Sequence, residues 1–382
     1  MLLIIAALGL LLAMGLAWLR ADDALMQSSL RALRTLRNVA ILFLIASFYM
    51  RRRLSASRHA EPGNARRRRN ALDCIFGIGR KIDNARALSL LQRAYQDGDR
   101  LAGAVLAGLL RRDPSNRNSR QDLRIMDDCS IALSRLARSG NKEAGFILCW
   151  LMTLLPPSGR TRRLLLRYLP ACCEAGLIEA WYLSGFCHAR GAFLQEDADI
   201  QQAADWFEKA AQSDCALAIS GLGILLSDPD LPWSHPQRGA DLLKQAAERG
   251  DDLSKLRLAY ITLKGVGVTP DPASALVWLE LVSGPLRSVA LLKSASIRMS
   301  REYGLLDYSE ARRLLEEVQP LLNMLAPHSD GGELHTRMGE VLADMQTGDS
   351  DDSYFDSVLD QLKCATESDW QRIVRVCQDE IN

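Results

Sequence analysis

Apolar residues recur at helical spacing through the middle of the chain, and one short phrase keeps returning. It is Ala-x-x-x-Leu followed by a small residue: Ala102, Leu106 and Ala107; Ala144, Leu148 and Cys149; Ala218, Leu222 and Gly223. The sets Ala180, Ser184, Gly185 and Ser254, Leu258, Ala259 keep the register with changed letters. Positions i and i+4 share a helix face and i+5 borders it, so each phrase predicts an amphipathic helix. A second helical stretch follows each phrase and closes on a turn residue, as in Ala210, Ala211 and Asp214 or Ala246, Ala247 and Gly250. Looser copies end at Gly98, Gly140 and Gly176, so that the five turn positions are separated by 42, 36, 38 and 36 residues. Such a period predicts an all-α solenoid, in which each helix pair buries its apolar face only by stacking on its neighbours.

The residue types fit that geometry. Leucine fills the seam between helices, and the small residue beside it lets a neighbouring backbone approach. The turn needs positive φ after a helix, which explains glycine at four of the five sites and aspartate at the other. In the second helix, Trp206, Leu242 and Trp278 share one slot, three residues after Ala203, Gly239 and Ala275. They are expected to form the core between repeats. The first helix of each unit is expected to line the inner face.

From Ala180 to Leu281 the chain resembles the Sel1-like repeat family, relatives of tetratricopeptide repeats. The resemblance rests on Ala203, Trp206, Lys209, Ala210 and Ala211 in one unit. In another it rests on the turn Gly265, Val266, Gly267, Val268 with Asp271, Ala275 and Trp278 after it. Residues 90–176 fit the unit only loosely, and the motif is lost after Pro285. The resemblance implies a superhelix of paired helices whose concave face holds a partner protein, and it implies no reaction.

The N-terminus changes the picture. Met1 to Leu19 carries no charged side chain and would run about 28 Å as a helix, near the thickness of a bilayer core. The basic n-region and small-residue cleavage site of a signal peptide are missing, which favours an anchor. A second run, Asn38 to Met50, is shorter at about 20 Å and either spans with Arg34, Arg37 and Arg51 snorkelling or lies in the interface. Four arginines lie between the two runs (Arg20, Arg31, Arg34, Arg37) and eight follow the second (Arg51, Arg52, Arg53, Arg58, Arg66, Arg67, Arg68, Arg69). That bias places the repeats in the cytoplasm, at a bacterial inner membrane. The alternative is a periplasmic or secreted adaptor released by signal-peptide cleavage.

Composition sharpens the asymmetry. The 382 residues carry a net charge of +1, yet 20–69 holds twelve arginines against Asp22, Asp23 and Glu61. The stretch after Pro327 is acidic. Arg51, Arg52, Arg53 and the run Arg66, Arg67, Arg68, Arg69 are candidate contacts for anionic lipid headgroups, at about 1 kcal/mol each near a surface. The competing reading makes them a topological stop only. No aromatic residues interleave with them, which argues against nucleic acid.

The chemistry-bearing residues point away from catalysis. Nine cysteines, an odd number with no repeat-locked pair, read as buried thiols in a reducing compartment. The five histidines, His59, His188, His235, His328 and His335, are dispersed, so no metal site, cofactor or small-molecule substrate is expected. Cys187 beside His188 leaves a remote alternative, a thiol-dependent hydrolase, although adjacent helical side chains diverge. Candidate protein-binding residues on first helices are Trp181, Tyr182, Tyr260 and Lys142, of which one ring of the Trp181 and Tyr182 pair is expected to face the core. The expected organisation is an anchor over 1–50, a basic linker over 51–80, repeats over 81–285, capping helices over 286–326, an acidic linker over 327–356 and a final helix over 357–382. The chain reads as a membrane-tethered scaffold or adaptor for an envelope, secretion or signalling assembly.

Overall fold

The computed structural model describes residues 62–112, 120–191, 193–194 and 198–325. Both apolar N-terminal segments, Arg51 to Arg53, the acidic linker and the final helix lie outside the described residues. Among the described residues, no helix is long and apolar enough to cross a membrane.

Fourteen α-helices follow one another in this region. They are α1 Pro62–Phe76, α2 Asn84–Gln96, α3 Arg100–Arg112, α4 Gln121–Arg138, α5 Lys142–Thr153, α6 Gly159–Glu174, α7 Ile178–Arg190 and α8 Ile200–Ala211. The series continues with α9 Ala216–Leu226, α10 Pro236–Glu248, α11 Asp252–Lys264, α12 Pro272–Glu280, α13 Arg287–Met299 and α14 Tyr308–Leu325. Each helix packs on the next, and each odd-numbered helix from α1 to α9 also touches the next odd-numbered one. No contact of that size joins successive even-numbered helices. From α3 onward the odd helices therefore form the inner layer and the even ones the outer layer of an all-α solenoid.

The local signals act as expected. The side chains of Asp83, Asn141, Ser158, Asp199, Asp251 and Asp271 accept N–H bonds from the first turns of α2, α5, α6, α8, α11 and α12. Each cap satisfies an otherwise unpaired donor and contributes about 1 kcal/mol. The turn residues Gly98, Gly140, Gly176, Asp214 and Gly250 all have positive φ, between 64° and 96°. The small-residue slot is buried in every unit. At Gly185 an added Cβ would lie 2.7 Å from the Phe207 ring, so α7 and α8 pack at a distance only glycine permits.

The core slot of the outer helices differs from expectation by one residue. Phe207, Leu243 and Leu279 are the deeply buried side chains, while Trp206, Leu242 and Trp278 border the core and are partly exposed. The cause is visible at Trp206. Its ring and that of Trp181 both face the Lys209 ammonium, at 5.4 and 4.5 Å from their centroids, which keeps the indoles on the rim where a cation stays hydrated.

A larger departure lies at the start. Residues 62–76, expected within a basic linker, are helix α1, the first of the described stack. Its end is set by Gly77 at φ 66°, with the Ile78 N–H donating to the Asp73 carbonyl in a left-handed cap.

Candidate functional site

The inner layer is not bare. The segment from Pro62 to Ile82 runs across the N-terminal ends of five successive inner helices. On α1, Arg68 pairs with Asp99 ahead of α3 and, through Nε and Nη2, with both carboxylate oxygens of Glu143 on α5 at 2.8 and 2.7 Å. Arg69 reaches Glu179 on α7 at 2.7 Å and Asp73 on its own helix at 3.2 Å. Beyond the helix the backbone takes over. The Ala216 N–H of α9 donates to the Gly77 carbonyl at 3.2 Å, the Gly79 N–H to Asp214 at 3.2 Å, and the Ile82 N–H to Arg249 at 2.8 Å, beside the turn before α11. A Cβ on Gly77 would sit 2.5 Å from the Ala216 Cβ, so the segment lies against the repeat backbone.

Electrostatics explain why a helix carrying Arg66 to Arg69 is stable there. Asp99, Glu143 and Glu179 stand at helix N-termini, where negative charge is favoured by the helix dipole. The arginines neutralise those acids. Burial pulls the Arg68 guanidinium down, but Glu143 and Asp99 outweigh it and hold its pKa above the ordinary arginine value. Burial pushes the Glu179 carboxyl above the usual range and Arg69 pulls it part of the way back. Glu179 is fully buried, with Oε1 on Arg69 and no hydrogen bond to Oε2 among the described residues. Arg67 binds Asn64 at 2.7 Å and pairs with Asp97 in an exposed contact, while Arg66 is exposed. Of the arginines proposed from sequence for lipid headgroups, Arg67, Arg68 and Arg69 are thus held by acids of this chain. Arg51, Arg52 and Arg53 lie outside the described residues.

At its end α1 inserts Phe76 into the inner face, where the ring meets Phe146, Trp150 and Tyr182 at centroid distances of 5.8, 6.5 and 5.7 Å. Beside this cluster lies a small recess. It is lined by Phe76, Trp150, Tyr182, Phe186, Leu154 and Arg112, with Thr153, Leu183 and Leu217 completing the wall.

The four protein-binding candidates fall in different places. Tyr182 faces the inner layer, lines the recess and packs on Phe207 at 5.9 Å. Trp181 points the other way, donating its indole N–H to the Cys173 carbonyl at 2.9 Å under Lys209. Tyr260 lies against the core of α10 and α11 with Arg257 over its ring, and Lys142 is exposed at the start of α5. The structure does not bring the four together. Sequence reasoning missed Phe76, Arg112 and Trp150. The signal available was one acid near the start of three successive inner helices, at Asp99, Glu143 and Glu179, alongside a run of four arginines upstream.

The thiol chemistry is closed off. The seven described cysteines are free and buried. Burial pushes the Cys187 thiol up to about 12, so it is protonated at neutral pH and is no nucleophile. A buried, protonated thiol lends no support to the remote reading of Cys187 and His188 as a hydrolase pair. Among the described residues no group of three His, Cys, Asp or Glu side chains is arranged to hold a metal ion.

The Sel1 repeat model matches residues 74–99, 178–215, 216–251 and 253–281, so the chain carries four Sel1 repeats. The first includes the end of α1, and α3 to α6 fold as the same helix pairs without a matched sequence. Among solved structures, the chain is similar to a protective antigen of uropathogenic Escherichia coli that displays an SLR fold. The identity is 17%, the TM-score 0.47, and the match covers 82% of this chain and 71% of that one. It is also similar to a Sel1 repeat protein from Oxalobacter formigenes, at 18% identity and a TM-score of 0.39, over 50% of this chain and 78% of that one. A search of the curated proteins found no match to this chain.

Proposed function

We propose that this chain of Sel1 repeats is a scaffold that holds a partner polypeptide on its inner helical layer, tethered to a membrane by its N-terminal apolar segments. Sel1-repeat proteins generally act as protein-interaction scaffolds. The observation that carries the reading is the path of Pro62 to Ile82. A polypeptide segment already lies on the inner layer, gripped by side chains and backbone of five successive repeats. The recess beside Phe76 continues that surface and is the part the segment leaves open.

The test is site-specific photocrosslinking in the producing cell. A crosslinker at Leu154, on the recess, is expected to trap a discrete partner, whereas one at Leu166, 51% exposed on α6 of the outer layer, is not. Adducts at Leu166 alone would move the binding face to the outer layer. The tether is supported by the uncharged length of Met1 to Leu19 and by the arginine bias that follows it. Arg51, Arg52, Arg53 and exposed Arg66 remain for anionic headgroups. A compartment-sensitive reporter at Asn382, with the N-terminus checked for cleavage, reads the orientation. Cytoplasmic signal with an intact N-terminus supports the tethered scaffold, and export or cleavage supports the periplasmic adaptor instead.

A further inference from the structure

The outer helices share a register, and one of them departs from it on its solvent side. Counting from the buried small residues Ala203, Gly239 and Ala275, the exposed stripe of α8 reads Gln201, Asp205 and Lys209, and that of α10 reads Gln237, Asp241 and Gln245. The same three positions on α12 and its C-cap are Ala273, Val277 and Leu281. Val277 is 55% exposed and Leu281 53%. Positions four apart lie one above the other on a helix, so these three form a single apolar stripe. Stacking of the repeats does not require it, because two sister units are polar there. An apolar stripe that the fold does not need marks a surface that another element covers.

We infer that the stripe Ala273, Val277 and Leu281 is the docking surface for the C-terminal helix of this same chain. That segment carries Trp370, Ile373, Val374 and Cys377 at the spacing of one apolar helix face. Three observations select it as the occupant. First, α14 closes the described stack. It buries Ala311, Leu314, Leu315 and Val318 on one side, while on the other Arg312 pairs with Glu316 and Arg313 with Glu310, so over this length it offers no second apolar side to a further helix. Second, reach is not limiting. Helix α14 lies beside α12, since Leu279 and Glu280 line one crevice with Glu310 and Arg313. The 44 residues between Leu325 and Trp370 would span about 35 Å at the dimensions of a coil. Third, three side chains fall far short of the roughly 800 Å² per partner that a free protein or a second copy buries in a stable complex. A helix tethered to the same chain meets the stripe at an effective concentration of about 1 mM, and a small apolar contact then suffices. The inference is independent of what the inner layer holds.

The experiment uses the full chain and reads Cys377 directly. Its maleimide labelling at neutral pH is followed by mass spectrometry in the unaltered protein and in a Val277→Asp, Leu281→Gln double variant. Those are the residues that α10 itself carries at the two positions, so the variant keeps its fold, which thermal unfolding verifies. Docking is expected to make Cys377 label roughly tenfold or more slowly in the unaltered chain, the range for burying one or two apolar side chains. Trp370→Glu, which alters the tail and leaves α12 untouched, is expected to give the same rise in rate as the double variant. Equal rates in the unaltered chain and the double variant overturn the inference, whether both are fast or both slow. A photocrosslinker at Ala273 then identifies the occupant in a mixture of isotopically light and heavy copies. Crosslinks to 368–382 are expected within light chains and within heavy chains. Light-to-heavy crosslinks assign the stripe to a second copy, and adducts with another protein in the producing cell assign it to a partner; either result overturns the inference. Crosslinks from Leu154 are read separately, so the scaffold reading stands or falls on its own.

Discussion

Arg68 sits between two acids with a side chain only 6% exposed. Removing one partner of a buried pair leaves the others uncompensated, so Arg68→Ala is expected to cost about 3 kcal/mol in urea unfolding. Arg66→Ala, two residues away and exposed, is expected to change stability by less than about 0.5 kcal/mol. Equal effects would mean that the arginine run acts only through net charge. The thiols offer a second test. Cys129, Cys173, Cys187 and Cys215 are pushed up to about 12 by burial, against about 8.5 for an exposed thiol. Their folded pKa values are raised, so the stabilisation is complete below the unfolded value and is lost as pH rises from there towards 12. Native protein at pH 8 is therefore expected to resist maleimide until denaturant is added, and urea midpoints are expected to fall above pH 9. The type of each of these residues was legible in the chain. Their partners were not, since Arg68 and Arg69 meet acids 31, 75 and 110 positions away.

Helices, turns and caps follow from spacings of three to five residues, and that is why their pattern could be read directly. The row of positive-φ turns is the clearest case, because only a few residue types tolerate that backbone. The same locality explains the one-residue error in the outer-helix slot. Periodicity gives the apolar face of a helix but not which edge of that face a neighbour covers, and Trp206 and Phe207 both lie on it. The structure separates them, with Phe207 buried against α7 and Trp206 on the rim over Lys209. Phe207→Ala is accordingly expected to cost about 3 to 5 kcal/mol, the range for truncating a buried ring, and Trp206→Ala distinctly less. Denaturation of the two variants side by side gives the answer, and the reverse order would restore tryptophan as the core residue.

A solenoid is held by contacts between neighbours, so a segment that touches five inner helices couples parts that would otherwise open separately. Reversing charge at Arg68 and Arg69 to Glu is expected to speed hydrogen exchange at the Ile78, Gly79 and Ile82 amides by roughly tenfold or more, with the amides of α12 and α13 unchanged. A uniform rise across the stack would instead make α1 part of one cooperative core. The sequence by itself determined the all-α class, the pairing of helices, the repeat register and the residues at each turn, because all of these are set within one or two helical turns of the chain. Tertiary structure alone decided that 62–82 lies along the row of turns and that the arginine run meets Asp99, Glu143 and Glu179. Those outcomes depend on which distant helix ends the stacking brings together, and no local spacing encodes that distance.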